Sequence, residues 1–124
     1  MFKNICVYEN CNREKWENDK KFCIFHSKKV DEKEEEFYRE FERQYPKGFL
    51  NQKNEIVLTG FVFPYFNFFR NCHIDKMISF NGSSFLRETT FENTVFLKKV
   101  GFINVKFENE INFKKAYFCN DVSF

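Results

Sequence analysis

Four residues near the N-terminus have the types and the spacing of a metal site. Cys6, Cys11, Cys23 and His26 follow the pattern C-x4-C-x11-C-x2-H. Soft sulfur and nitrogen ligands, in two close pairs separated by a loop, are what tetrahedral Zn²⁺ binds in proteins. The C-x2-H half allows one turn of backbone to supply both of its ligands. Because protein atoms fill all four positions, the predicted zinc site is closed, which is typical of a structural site rather than a catalytic one.

Two other states of these cysteines are open from the sequence: free thiols, or a disulfide between Cys6 and Cys11. Zinc is favoured over both because the ligand count and the pair spacing agree, and because five cysteines fit poorly with a disulfide framework. Metal binding would also supply folding free energy to a module with little apolar core of its own. Cys72 and Cys119 are not expected to be ligands, since Cys72 takes a small inward position in the repeat described next and Cys119 points outward.

The second half of the chain contains an internal repeat of large apolar residues. They recur at alternating intervals of five and six residues, and most of them are Phe: Leu58, Phe63, Phe69, Ile74, Phe80, Phe85, Phe91, Phe96, Phe102, Phe107, Phe113, Phe118 and Phe124. A helix has a period of about 3.6 residues and a strand a period of two, so neither alone produces this alternation.

The residues that flank each large apolar position indicate how the chain folds. Two positions before it the residue is mostly small or β-branched, and two positions after it the residue is mostly polar, often Asn or Gly. Residues two apart share one face of an extended segment, and Asn and Gly suit a corner. Four such sides make a coil of 22 residues. Coils rising by about 4.8 Å would stack rings in columns: Phe80, Phe102 and Phe124; Phe91 and Phe113; Phe85 and Phe107; Phe96 and Phe118.

The stretch from Leu58 to Phe124 resembles the pentapeptide-repeat proteins, in particular the subgroup with Phe at the centre of alternating five- and six-residue units. The likeness is carried by Phe80-Asn81-Gly82-Ser83-Ser84-Phe85 and Thr94-Val95-Phe96, and Phe61-Val62-Phe63-Pro64 is similar to the usual lead-in. The resemblance implies a mainly β fold, a right-handed quadrilateral β-helix of about three coils. The chain departs from the pattern in the first coil, at the large Phe61 and at Asn67, where a small inward residue is expected.

The Cys/His segment is similar to the zinc-knuckle-like module that precedes some of these Phe-rich repeat proteins. Together, the two resemblances divide the chain into a zinc-knuckle-like module at residues 1–30, a bridging or capping helix with its connection at residues 31–55, and the β-helix at residues 56–124. The connection itself is expected at residues 46–55.

Residues 31–45 predict a helix between the module and the repeat. Asp31, with Glu34 three residues later, has the pattern of a capping box. Phe37, Phe41 and Tyr45 share one stripe of this helix. We expect the stripe to pack on the zinc module or to cover the first coil, because an exposed β-helix end invites edge-to-edge association. A helix that binds a partner through this stripe is the alternative.

Composition narrows the classes of function and the compartment. The chain has 20 Lys and Arg against 18 Asp and Glu, a net charge of +2, which argues against a strongly basic nucleic-acid binder and against an acidic DNA mimic. No segment approaches the roughly 20 apolar residues of a membrane span, and the N-terminus lacks the apolar core of a signal peptide. We therefore expect a cytoplasmic protein without a membrane partner, in a compartment where thiols stay reduced.

A non-enzymatic protein-interaction or scaffold module is the expected function, with an unknown protein partner. The alternative is nucleic-acid binding through the zinc module, where basic residues surround the ligands: Arg13, Lys15, Lys20, Lys21, Lys28 and Lys29. Acidic neighbours offset this charge. Topoisomerase protection by DNA mimicry, known for some relatives, ranks last because the repeat is slightly basic.

Catalysis is not expected. Of the two histidines, His26 is a predicted zinc ligand, and His73 should lie on the surface with Asp75. An isolated surface His–Asp pair is far more often structural than catalytic. The sequence stops at Phe124 in mid-unit, so either the open last coil pairs with a second copy to form a homodimer, or the chain is a piece of a longer repeat protein.

Overall fold

The computed structural model describes residues 4–45 and 55–124. Helix α1 spans Val30–Gln44 and is followed, in the described part of the chain, by twelve short strands. They are β1 (Glu55–Val57), β2 (Val62–Phe63), β3 (His73–Ile74), β4 (Met77–Ser79), β5 (Ser84–Phe85), β6 (Thr89–Thr90), β7 (Val95–Phe96), β8 (Val100–Gly101), β9 (Lys106–Phe107), β10 (Ile111–Asn112), β11 (Tyr117–Phe118) and β12 (Val122–Ser123). The described ranges hold no helix that is long and apolar enough to cross a membrane.

The strands form four parallel sheets, which are the four faces of a β-helix. The first face contains β1, β4, β8 and β12; the second β2, β5 and β9; the third β6 and β10; and the fourth β3, β7 and β11. Paired residues are 22 apart in each ladder, as in the series Ile56, Ile78, Val100 and Val122. The chain therefore completes about three turns, as the 5/6 spacing predicts.

Left-handed backbone at the corners explains the Asn and Gly positions of the repeat. One corner is formed in successive coils by Gly60, Gly82 and Asn104, and another by Asn71, Asn93 and Lys115, all with φ between 57° and 74°. Gly and Asn adopt this region at lower cost than other residues. Turns with this backbone separate the short sides of each coil.

The interior consists of stacked Phe rings, and all four predicted columns are present. Ring centroids are 5.2 Å apart for Phe80 and Phe102 and 5.4 Å for Phe91 and Phe113, with planes within 11° of parallel. The other columns are similar: Phe85 with Phe107, Phe96 with Phe118, and Phe102 with Phe124. Rings of the last coil are half-buried and Phe124 is exposed, because among the described residues they lie at the open end of the β-helix.

The first coil differs from the regular repeat. Phe66, not Asn67, pairs with Thr89, a separation of 23 residues instead of 22. Phe66 is fully buried and Asn67 is exposed. The inward placement of Asn67 that the 5/6 spacing implies is therefore wrong. Burying the Asn67 amide without a partner would be costly, whereas a one-residue shift places the apolar ring of Phe66 inside.

Helix α1 covers the N-terminal end of the β-helix. Phe37 and Phe41 are completely buried. The Phe41 ring lies 4.8 Å from that of Phe68 and 5.6 Å from that of Phe66, and the Phe37 ring lies 5.5 Å from that of Phe25 in the Cys/His module. The stripe therefore packs on the module and on the first coil at once, and these two rings are not available to a partner.

The start of α1 differs from the capping-box prediction. The N-cap is Lys29, which makes no side-chain capping hydrogen bond, and the helix begins at Val30, whose buried side chain anchors the first turn. Asp31 therefore lies inside the first turn and does not cap. Its carboxylate instead accepts two hydrogen bonds from Arg87, at 3.0 and 2.8 Å, which ties the helix to the second coil.

Candidate metal centre

Cys6 and Cys11 lie on either side of a tight turn. Cys6 N–H donates to the carbonyl of Arg13 at 2.9 Å, and Cys11 N–H donates to the carbonyl of Tyr8 at 3.0 Å. Asn10, just before Cys11, has a φ of 64°, a left-handed conformation that Asn tolerates. This local folding allows the longer C-x4-C spacing to bring both thiols to one site.

Cys23 and His26 lie on a single turn of backbone, as their spacing predicts. The Cys23 carbonyl accepts from His26 N–H at 3.2 Å and from Ser27 N–H at 2.9 Å. The Asp19 carboxylate accepts from the hydroxyl of Ser27 at 2.7 Å and from Phe22 N–H at 3.0 Å. The carboxylate thus fixes the chain on both sides of the ligand pair.

The ligand atoms of the four predicted residues all lie within 4.8 Å of one another. Nδ1 of His26 is 3.2 Å from Sγ of Cys23 and 3.6 Å from Sγ of Cys6, and Sγ of Cys11 is 3.9 Å from Sγ of Cys23. Cys6, Cys23 and His26 are buried and Cys11 is half-buried. Three sulfurs and one imidazole nitrogen in this arrangement can hold a metal ion.

The other cysteines lie outside this cluster. Cys72 is half-buried on the repeat, with Sγ 3.5 Å from the carbonyl of Arg70, and Cys119 is exposed. All five cysteines are free thiols, so Cys6 and Cys11 are not joined by a disulfide.

The second ring nitrogen of His26 connects the cluster to the β-helix. Nε2 lies 3.2 Å from the carbonyl oxygen of Thr59, and since a carbonyl only accepts, Nε2 carries the proton. This tautomer leaves the lone pair of Nδ1 directed at the sulfurs, the usual arrangement of a metal-binding histidine and its outer hydrogen bond.

Aromatic rings hold the His26 imidazole in place. Tyr8 stacks on it at 4.0 Å with planes 7° apart, and the edge of Phe61 meets it at 5.6 Å. Gly60 has a φ of 70°, and a Cβ added there would collide with the Tyr8 ring. The first corner of the β-helix therefore needs Gly both for its backbone and for the approach of Tyr8.

Burial sets the protonation of the cluster. It lowers the pKa of His26 to about 4, with the charges of Arg13 and Lys33 acting in the same direction, so the imidazole is neutral near pH 7. Burial also raises the pKa of Cys23 to about 12. For Cys11, burial raises the pKa, but hydrogen bonds from the Arg13 backbone and the neighbouring thiols lower it further than burial raises it. Cys11 is therefore the thiol of this pair that ionises first.

Lys33 joins the module to the β-helix and is the residue that the sequence analysis missed. Its side chain is completely buried, and Nζ donates at 2.7 Å to the carbonyls of Ile24 and Val62. Nζ also lies 4.8 Å from the centroid of the Phe37 ring, in cation–π geometry. The sequence feature that could have indicated its burial is its position four residues before Phe37, on the apolar stripe of α1.

The Cys/His module and α1 also cover the free edge of β2, the first strand of the second face. Val62 N–H donates to the carbonyl of Phe25 at 2.8 Å, and the Val62 carbonyl accepts from Lys33. The Phe25 ring stacks on that of Phe61 at 4.7 Å. The module thus covers both the backbone edge and the ring stack of the first coil.

Two of the six basic residues of the nucleic-acid alternative, Arg13 and Lys29, make side-chain contacts within the chain. The Arg13 guanidinium lies 4.6 Å from the centroid of the Phe25 ring and donates to Gln44 and to the hydroxyl of Tyr45. Lys29 donates to the carbonyl of Asn18 at 2.6 Å. Arg13, which has the most intramolecular contacts of the set, is therefore a packing residue.

His73 and Asp75 are both exposed on the fourth face, where the repeat predicts them. Neither has a side-chain hydrogen bond or an ion pair among the contacts of residues 4–45 and 55–124.

Comparisons with models of protein families, with curated proteins and with solved structures found no match for this chain.

Proposed function

We propose that the chain is a non-enzymatic protein-interaction or scaffold module, in which a structural Zn²⁺ at Cys6, Cys11, Cys23 and His26 fastens a cap onto a β-helix of the pentapeptide-repeat type. The observation that carries the proposal is the dual role of His26, whose Nδ1 faces the sulfurs while Nε2 bonds to Thr59 of the first coil. The cluster is placed where a metal can stabilise the junction of module and repeat.

The donor set supports zinc among the biological metals. Three sulfurs with one imidazole are a common ligand set of structural Zn²⁺, and four protein ligands complete its tetrahedral shell. When bound, the ion would supply folding free energy by holding two distant turns together and would keep the thiols ionised. A reducing compartment such as the cytoplasm, where these free thiols would persist, is part of the proposal.

An interaction role is supported by what the β-helix presents. Its faces are parallel sheets with outward side chains of both charges, and repeat folds of this kind use extended surfaces to bind partners. Neither histidine supports a catalytic role: His26 belongs to the proposed metal centre, and His73 lies open to solvent with Asp75.

The experiment that tests the proposal is proximity cross-linking followed by mass spectrometry, with the whole zinc-loaded chain as bait. The Cys23→Ser variant serves as the uncapped control, and a surface variant, Cys119→Ser, is the matched cysteine control. We expect specific proteins to be recovered with the wild type and with Cys119→Ser. Recovery of nucleic acid instead, with an affinity that falls steeply as salt increases, would favour the alternative. Recovery of no specific protein would contradict the interaction role.

A further inference from the structure

The cysteine cluster has one sulfur within reach of solvent. Of the four ligands, Cys6, Cys23 and His26 are buried and Cys11 is half-buried. Cys11 lines a cleft of about 310 Å³ whose walls come from both the module and the first coil. A small reagent in this cleft therefore meets the sulfur of Cys11 before it meets either of the other two.

A second sulfur lies close behind that of Cys11. Sγ of Cys23 is 3.9 Å from Sγ of Cys11. A disulfide has an S–S length of about 2.05 Å, so a closing movement of roughly 2 Å, shared between the two residues, would join them. Cys72 and Cys119 belong to the repeat and lie outside the cluster, so they cannot compete for Cys11. Cys11 and Cys23 therefore have the geometry of an oxidisable pair.

Cys23 lies on the turn that attaches the module to β2. Phe25 is between Cys23 and His26 on this turn. Its carbonyl accepts from Val62 N–H at 2.8 Å, and its ring stacks on that of Phe61 at 4.7 Å. Movement of Cys23 toward the other sulfur would shift the same turn. Oxidation of the pair is thus linked to the edge of β2 that the module covers.

We propose that Cys11 and Cys23 are a redox switch, in which a hydroperoxide joins them as a disulfide, the bound metal is released and the cap on β2 loosens. The inference rests on the structural Zn²⁺ of the proposed function. With only Cys6 and His26 left, half of the tetrahedral shell is lost, and the site no longer holds the ion tightly. The cap would then be closed in a reducing compartment and loosened under oxidative conditions.

The oxidation balances with one equivalent of hydrogen peroxide. Both sulfurs are thiolates when they bind a metal. The Cys11 thiolate attacks one peroxide oxygen, the O–O bond breaks and hydroxide leaves, which gives a sulfenic acid. The Cys23 thiolate then attacks that sulfur, the S–O bond breaks and a second hydroxide leaves. The two thiolates lose two electrons in all, which the peroxide gains, and a dithiol reductant reverses the change.

The test treats the whole zinc-loaded chain with hydrogen peroxide. Cys119→Ser is the background, because that exposed thiol would otherwise cross-link chains. Zinc release is measured with a chromogenic chelator that does not strip the untreated chain, and peptide mapping without reductant identifies the disulfide. Hydrogen exchange is followed at Val62 N–H and at Val95 N–H, which bonds within the β-helix. Two substitutions are compared in the same background: Cys72→Ser, which removes a thiol outside the cluster, and Cys11→His, which keeps four ligands but removes the attacking sulfur.

We expect peroxide to release the zinc, to form the Cys11–Cys23 disulfide and to accelerate exchange at Val62 N–H at least tenfold, while Val95 N–H changes by less than about twofold. A dithiol with added zinc should restore the starting state. Cys72→Ser should behave like the background, and Cys11→His should release zinc at least tenfold more slowly. If Cys11→His does not fold around zinc, the disulfide map and the exchange rates of the background still decide.

The possible failures of the metal site and of the switch are distinguishable. A chain without zinc before treatment would contradict the metal centre, and this inference with it. Three results would overturn the switch and leave the structural metal site intact: zinc that stays bound in peroxide, a disulfide between Cys6 and Cys11 instead, or zinc release without faster exchange at Val62 N–H.

Discussion

His26 donates a hydrogen bond from Nε2 to the carbonyl of Thr59 at 3.2 Å, so the cysteine cluster and the first corner of the β-helix share one imidazole. The opposite nitrogen, Nδ1, lies 3.2 Å from Sγ of Cys23. Loss of the metal would therefore affect the end of the repeat as well as the module. This coupling leads to the first two predictions.

The first prediction concerns metal content. Native mass spectrometry of the purified chain should show one Zn²⁺ per chain in the wild type and in Cys119→Ser, but none in Cys23→Ser, because a hydroxyl is a poor zinc ligand. Cys119 is exposed and outside the cluster, so it controls for the chemistry of the substitution. A wild-type chain without stoichiometric zinc, or a Cys23→Ser chain that retains it, would contradict the assignment.

The second prediction concerns the cap. Removal of zinc by a strong chelator should accelerate hydrogen exchange at Val62 N–H, which donates to the carbonyl of Phe25 in the module. Val95 N–H, which donates to the carbonyl of Cys72 within the β-helix, should exchange at an unchanged rate. The reason is that the first bond needs the module in place and the second does not. Equal acceleration at both sites would mean that the metal stabilises the whole fold, and no acceleration would mean that it does not hold the cap.

The regular part of the fold was predictable because one constraint repeats. Rings eleven residues apart lie on opposite sides of the coil, so rings 22 residues apart stack in one column and the coil length follows. The observed pairs Phe80–Phe102 and Phe91–Phe113 have this spacing. Ligand types and spacing likewise identified the metal cluster. The one-residue shift at Phe66 was not predictable from the period, because it departs from the period; in the folded chain the inward ring of Phe66 packs against Phe41 from α1.

The burial of Lys33 was also missed, for a different reason. Lysine is normally exposed, and its burial depends on two carbonyls, of Ile24 and Val62, that lie far apart in sequence and meet only in the folded chain. Tertiary contacts of this kind leave no periodic signal. Replacing this residue provides the third prediction.

The third prediction is that Lys33→Met destabilises the chain by about 2–4 kcal/mol, because both carbonyls lose a buried hydrogen-bond donor. The substitution should also remove a pH dependence. Burial lowers the pKa of Lys33 to about 7, and the electrostatic effect of nearby Cys23 and Asp19 offsets only part of that shift. Between about pH 7 and pH 10, Lys33 is therefore protonated in the unfolded chain but largely neutral in the folded chain. The free energy of unfolding of the wild type should therefore rise with pH, by at most about 1.4 kcal/mol per pH unit, relative to the variant.

Urea unfolding of both chains at about pH 7 and about pH 9 measures this difference, and metal effects common to both chains cancel in the comparison. Lys28→Met is the matched control, since Lys28 precedes the same helix and is exposed. A wild type whose stability relative to Lys33→Met does not change over this range would show that the buried amine keeps its ordinary pKa.

The fourth prediction compares two rings of the repeat. Phe91 is fully buried and stacks on Phe113, so Phe91→Ala should cost about 3–5 kcal/mol through lost burial and a residual cavity. Phe124 is 77% exposed, so Phe124→Ala should cost less than about 1 kcal/mol. Chemical unfolding of both variants gives the two values. Similar costs for the two substitutions would mean that the end of the β-helix is covered in solution, as in a homodimer.

The last prediction is a stabilising substitution at a corner. Lys115 has a φ of 58°, in the left-handed region, at the position that Asn71 and Asn93 occupy in the preceding coils. This backbone conformation costs a lysine roughly 1–2 kcal/mol, and it costs an asparagine less. In the two earlier coils, Asn93 also donates from Nδ2 to Oδ1 of Asn71 at 2.9 Å. Lys115→Asn should therefore raise the free energy of unfolding by about 0.5–1 kcal/mol, by relieving the backbone and extending the row of amides by one member.

Lys114→Asn, at a neighbouring exposed position outside the left-handed region, should have almost no effect in the same unfolding experiment. An equal gain from both substitutions would point to reduced charge repulsion rather than to the corner geometry.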